Sequence, residues 1–171
     1  MSNAAPVAQS RIYEFRTSSG AETIDLGRKL AGLLQPPQLL ILRGDLGTGK
    51  TTLVKGIVQA LDAAEPDEVT SPTFTLIHEY DGTLNGASVK LFHLDLYRLD
   101  SERQLESLGL DDLLTPDAIA LVEWGEKFKS IRKKASGEIV IASESGDARR
   151  ITVTLKEPSD PPPSHAANPI Q

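Results

Sequence analysis

"LLILRGDLGTGKTTLVKGI" occupies residues 39–57, and its reading decides the fold. An apolar run from Leu39 to Leu42 has the character of a strand buried on both faces. "GDLGTGKT", Gly44 to Thr51, then fits G-x-x-x-x-G-K-[ST], and "TTLVKGIVQAL" continues as a helix with Leu53, Val54, Ile57, Val58 and Leu61 on one face. Strand, glycine loop and helix follow one another directly, which is the context a phosphate-binding loop requires. Gly47 and Gly49 reach backbone conformations closed to other residues, so successive N–H groups can turn inward toward phosphate oxygens. The helix starting near Lys50 adds the positive end of its dipole. In this motif Lys50 reaches the terminal phosphates and the Thr51 hydroxyl coordinates Mg²⁺.

Outward from the loop, apolar periodicity divides the rest of the chain. "RIYEF" (11–15) alternates as a short strand. "GAETIDLGRKLAGLL" places Ile24, Leu26, Leu30, Leu33 and Leu34 at mostly helical spacing before Pro36 and Pro37 stop it. "FTLIHEY" and "SVKLFHLDL" read as a hairpin across "DGTLNGA", whose Asp-Gly and Asn-Gly pairs favour reversal. "DSERQLESLG" opens on Asp100 as a capping residue and closes at Gly109, and Pro116 halts "LDDLLTP". "AIALVEW" reads as a buried strand, and "GEIVIASE" and "RRITVTL" as an antiparallel pair at the sheet edge. These elements predict an α/β fold: a single-domain P-loop NTPase over 11–156, with a mixed, mostly parallel sheet and antiparallel hairpin additions. Strand order is not fixed by these patterns. Residues 1–10 and the Pro-rich tail 157–171 have little to bury and are expected to be disordered.

The 171 residues carry 18 Lys and Arg against 24 Asp and Glu, a net charge of −6, which argues against independent binding to nucleic acid. A role on RNA would need a partner to supply the positive surface. The basic stretches "KFKSIRKK" (127–134) and "RR" (149–150) read as solvated faces. The lack of cysteine excludes disulfides and thiolate metal sites. No apolar run approaches the roughly 20 residues of a membrane helix, and the N-terminus lacks the pattern of a secretory signal, so a cytoplasmic location is expected.

A Mg²⁺ ion beside a phosphate loop also takes a carboxylate, and in this fold one sits at the end of a neighbouring apolar strand. "KLFHLD" ends in Asp95 and "AIALVE" in Glu123; both qualify. Thr73 and Thr75 in "TSPTFT" occupy a polar loop entering a strand, where other P-loop proteins bring a switch residue to the γ-phosphate. His93 alternates with Asp95 on one side of a strand, His78 stands alone and His165 lies in the tail, so the histidines predict no metal cluster.

"GDLGTGKTT", "SPTFTL", "FHLDLYRL" and "LVEWGE", in that order, closely resemble the TsaE family, the small bacterial ATPases of tRNA threonylcarbamoyladenosine biosynthesis. The resemblance covers residues 18–128, with "ETIDLGRKLA" similar to the family's first helix. It implies a protein that binds ATP and Mg²⁺ and hydrolyses ATP slowly by itself. It also implies two partners of one shared fold, one carrying the metal site that transfers threonylcarbamoyl to an adenosine of tRNA; this chain would meet tRNA only indirectly. By position, Gly47, Thr48, Gly49, Lys50, Thr51 and Thr52 would hold the phosphates, Thr51 and Glu123 the Mg²⁺, and Asp95 would serve the metal or the attacking water. Lys50, Asp95 and Glu123 are then the catalytic set, Thr73 borders the nucleotide, and Trp124 resembles the family's mobile active-site tryptophan. ATP is preferred to GTP by the resemblance and by the lack of an N-K-x-D segment. The alternative is a small-molecule kinase that recruits Arg98, Arg103, Arg149 or Arg150 to a lid, although no segment remains for a lid and an acceptor domain.

Overall fold

The computed structural model describes residues 9–157. In chain order its elements are β1 (Ser10–Thr17), α1 (Gly20–Ala31), β2 (Gln38–Arg43), α2 (Lys50–Ala60), β3 (Ile77–Leu84), β4 (Ala87–Asp95), α3 (Glu102–Glu106), α4 (Leu110–Leu113), β5 (Ala118–Glu123), α5 (Lys129–Lys134), β6 (Gly137–Ser143) and β7 (Arg149–Lys156). One sheet orders the strands β1-β7-β6-β2-β5-β4-β3. β6, β2, β5 and β4 run parallel to one another, and the antiparallel pairs β3–β4, β6–β7 and β1–β7 complete both sides.

β5 is buried at every position and β2 from Leu39 to Leu42, as parallel strands covered on both faces must be. α1 and α2 cover one face, packing Leu30, Leu53, Ile57 and Leu61 on Leu40, Leu42, Leu91 and Leu121. The short helices α3, α4 and α5 cover the other, where Leu105, Leu110 and Ile131 meet Ile41, Phe92 and Leu94. Among the described residues no helix is long and apolar enough to cross a membrane.

Four details differ from the sequence reading. β6 is not at the edge. Its antiparallel partner β7 covers one side, β2 pairs along the other, and β1 forms the rim by pairing with β7 from Ser10↔Lys156 to Thr17↔Arg149. The hairpin reverses only at Asn85 and Gly86, both at positive φ (53° and 81°) as a two-residue primed turn requires. The Asp81-Gly82 pair instead lies inside β3, where a Cβ on Gly82 would stand 2.5 Å from the Leu61 carbonyl at the end of α2. β3 begins at Ile77, because Phe74 to Leu76 form a turn in which Leu76 N–H donates to Pro72 O (2.8 Å). The cap of α3 is Ser101, whose hydroxyl accepts from Gln104 N–H (3.2 Å), while Asp100 precedes it. The expectation of disorder at the two ends falls largely outside the described residues; within them, Ser10 already belongs to β1 and Glu157 N–H donates to Gln9 O (2.8 Å).

The axis of α2, which carries the phosphate loop, is set by its crossing with α1. A Cβ on Gly56 would lie 2.0 Å from Ile24 O, and one on Gly27 2.3 Å from Leu53 O, so the backbones touch. Gly56→Ala gains about 1 kcal/mol of helix propensity and loses about 1–3 kcal/mol by forcing the helices apart. The loss wins, and the melting temperature is expected to fall by about 2–6 °C. Gly20→Ala, with nothing within 4 Å of the new methyl, is expected to leave melting unchanged or raise it. Equal melting of Gly56→Ala and the parent protein would contradict the close crossing.

Candidate functional site

The loop between β2 and α2 closes on itself. Gly47 and Gly49 have φ of 78° and 103°, which carry the chain around without strain, and Leu53 N–H donates to Gly49 O (3.0 Å) as the first helical bond. Gly49 caps α2 with no side-chain hydrogen bond, so its first-turn N–H groups receive none from the cap. The Thr48 hydroxyl donates to Asp45 O (2.9 Å) and is buried beneath the loop. From the start of β7, Arg149 Nε donates to Thr48 O (2.8 Å), and its Nη1 holds the carbonyls of Gly146 and Ala148 (2.9 Å each). An arginine from a distant strand thus braces the loop from behind.

In front of the loop stand the ends of β4 and β5. Their parallel register pairs Asp95 with Glu123, placing the two carboxylates side by side. Lys50, Asp95 and Glu123 are only 7%, 5% and 4% exposed, so each charge needs a partner. Lys50 Nζ donates to Gly44 O (2.6 Å), stands 3.8 Å from Glu123 Oε2 and lies 5.2 Å from the centre of the Trp124 ring. Glu123 Oε1 is 2.8 Å from His93 Nε2. Asp95 Oδ2 accepts from the Thr73 hydroxyl (3.3 Å) and Oδ1 from Tyr97 N–H (3.0 Å), and no cation lies within 4.0 Å of it among the described residues. A buried carboxylate held by a hydroxyl and an amide, with no cation, beside a second carboxylate and an uncapped helix N-terminus, suits a divalent cation with a phosphate chain.

The cleft between these walls has a volume of about 670 Å³. Nine residues singled out in the sequence border it together: Gly47, Gly49, Lys50, Thr51, Thr52, Thr73, Asp95, Glu123 and Trp124. Thr48, also singled out, does not line the cleft: its side chain turns under the loop onto Asp45 O. Thr75 is exposed on the turn, His78 packs edge-on against Tyr80, and His165 lies outside the described residues.

Sequence reasoning missed Leu46, Ser71 and Tyr97, which also line the cleft. It gave His93 no role, although the alternation with Asp95 was visible. Two basic side chains read as solvated are engaged instead: the Lys127 ammonium donates to the carbonyls of Leu96, Tyr97 and Leu99 (3.4, 2.9 and 2.8 Å) and pins the segment after Asp95, and Arg149 holds the phosphate loop. Of the arginines considered for a kinase lid, Arg149 is committed to the loop, Arg150 to Glu144 (2.7 Å), and Arg98 stacks on Phe74 at 4.4 Å. Lys90, held above the ordinary lysine range by hydrogen bonds to Asp81 and Glu79, lies on β4 beside the hairpin, away from the cleft.

The family model described as threonylcarbamoyl adenosine biosynthesis protein TsaE matches residues 17–151, beyond the span of the sequence motifs and into β7. The tRNA threonylcarbamoyladenosine biosynthesis protein TsaE of Bacillus subtilis (strain 168) is 37% identical over 141 residues, which cover 82% of this chain and 84% of that protein. Its counterpart in Aquifex aeolicus (strain VF5) is 41% identical over 118 residues, 69% of this chain and 80% of that one. Among solved structures, a crystal structure of Bacillus subtilis YdiB superposes with a TM-score of 0.64 at 30% identity, covering 88% of this chain and 90% of that one.

Removing the brace tests whether the loop's shape depends on it. Arg149 is half-buried, and a hydrogen bond from a charged donor in such a setting contributes about 1 kcal/mol. Arg149→Gln is expected to lower the melting temperature of the nucleotide-free protein by about 2–4 °C and, on the ATP-binding reading proposed below, to weaken ATP binding by calorimetry. Unchanged melting and affinity would show that the loop keeps its shape unaided.

Proposed function

We propose that this chain, which belongs to the TsaE family, is the ATP-binding and slowly ATP-hydrolysing subunit required for N6-threonylcarbamoyladenosine formation in tRNA. It acts with two partner proteins of one shared fold that carry the transferase, meets tRNA only through them, and works in the cytoplasm. The observation that carries the reading is the convergence of buried charge: Lys50 at the N-terminus of α2, within 3.8 Å of Glu123 and beside an Asp95 with no cation within 4.0 Å among the described residues.

In this reading the backbone from Gly47 to Thr52 cradles the phosphate chain. Lys50 leaves Gly44 O for the terminal phosphates, neutralising the charge that gathers there as the γ-phosphate departs. Thr51 and Glu123 would hold Mg²⁺, which would neutralise phosphate charge. Asp95, already accepting from Thr73 and Tyr97 N–H, would orient the attacking water. Trp124 and Tyr97, with rings 5.1 Å apart, limit solvent access. Low turnover by the isolated chain follows if one of these walls is completed by a partner.

The partner side of the reading has its own support. Leu46, Phe74 and Tyr97 are 94%, 82% and 58% exposed on the loops that border the cleft, an unusual setting for large apolar side chains unless another protein covers them. The net charge of −6 is compatible with tRNA being met by the partners.

The two carboxylates separate experimentally. Glu123→Ala is expected to weaken nucleotide binding in Mg²⁺ about 10-fold or more, because a metal ligand is lost. Asp95→Asn is expected to bind within a few-fold of the parent protein and to lose most phosphate release, because the change touches turnover rather than ground-state binding. Calorimetry and phosphate-release assays check both. If neither variant alters Mg-ATP binding or hydrolysis, the cleft is not the site.

A further inference from the structure

We infer that His93 is a positioning residue that holds the Glu123 carboxylate in the orientation from which it can serve a metal, an inference that rests on the Mg-ATP reading above. His93 is completely buried, and among the described residues the only hydrogen bond its ring makes is the 2.8 Å contact between Nε2 and Glu123 Oε1. Its other nitrogen, Nδ1, is buried with no partner among the described residues. An imidazole in such a place is a poor way to fill a core, because an aliphatic side chain would pack there without leaving a polar atom unpaired. Core packing therefore does not account for the histidine, whereas the bond to Glu123 does.

The backbone makes that bond nearly inevitable. His93 is opposite Leu121 in the parallel β4–β5 register, and Asp95 is opposite Glu123, so His93 lies one step behind Glu123 on the same face of the sheet. A carboxylate oxygen only accepts, so Nε2 carries the hydrogen and donates to Oε1. Glu123 Oε2 is left facing the cleft, 3.8 Å from Lys50 Nζ, which donates instead to Gly44 O at 2.6 Å. Released from His93, the carboxylate is free to rotate further onto the lysine and close the 3.8 Å ion pair to hydrogen-bonding distance. That pair would occupy the group assigned to the metal and the group assigned to the phosphates at once. The histidine holds them apart, as outer-shell donors do for ligating carboxylates elsewhere.

The test compares His93→Gln, whose amide nitrogen takes the place of Nε2, with His93→Asn, whose shorter amide does not reach Glu123. ATP affinity is measured by calorimetry in Mg²⁺ and in excess chelator, alongside melting temperature. His93→Asn is expected to weaken binding about 10- to 100-fold in Mg²⁺ and to leave chelator binding within about 2-fold, while His93→Gln keeps most of the Mg²⁺-dependent gain. On a Glu123→Ala background, His93→Asn is expected to have no further effect on Mg²⁺-dependent binding. A His93→Asn protein that keeps the Mg²⁺-dependent gain, or loses affinity equally in chelator, would overturn the inference and leave the Mg-ATP reading standing. A parent protein with no Mg²⁺-dependent gain would overturn both.

Discussion

A buried ammonium facing a buried carboxylate is the constraint on which the rest of the molecule depends. Lys50 and Glu123 sit where water scarcely reaches, and an isolated charge there would be strongly destabilising, so each element must deliver its charge to the same point. β5 does so by running fully buried to its last residue. β2 does so by ending in a loop whose glycines turn the chain back to place Lys50 at the head of α2. The glycine crossing of α1 over α2 fixes the direction of that helix against the sheet. Fold and site are therefore one problem: the parallel strands bring their C-terminal ends together, and the hydrogen bonds and opposite charges gathered there offset the cost of burying them.

The parts legible in the sequence are those written in short spans. The run into "GDLGTGKT" specifies strand, loop and helix within a few turns of chain, and Asp95 and Glu123 were readable as acids ending apolar strands. What escaped depends on which strands become neighbours. Arg149 braces a carbonyl 101 residues earlier, and His93 reaches a carboxylate 30 residues later; neither pairing has a local signature. The same holds for β6, whose alternation looks like that of an edge strand until β2 and β7 are known to flank it. Phe74 was read as strand for a related reason: an apolar residue beside apolar neighbours scores as β, although here it is exposed on a turn.

The geometry also connects the cleft to the surface. Asp95 is bonded to Thr73 on the loop that carries Phe74, and to the main chain of Tyr97 in the segment pinned by Lys127. Anything that draws Asp95 toward a phosphate-bound metal pulls on both, and both carry exposed apolar side chains. On the proposed Mg-ATP reading, a change of nucleotide would become a change in the surface shown to a partner, and a small acidic protein could serve a tRNA-modifying assembly without holding the tRNA.

That coupling is tested most directly by titrating the reconstituted partner pair against this protein loaded either with ADP or with a non-hydrolysable ATP analogue, in Mg²⁺. Linkage requires that any preference of the partners for one nucleotide state be returned as an equal change in nucleotide affinity, typically about 5- to 150-fold. The two states are expected to give dissociation constants that differ within that range, with the difference reduced in Thr73→Ala. Equal dissociation constants for the two states would contradict it.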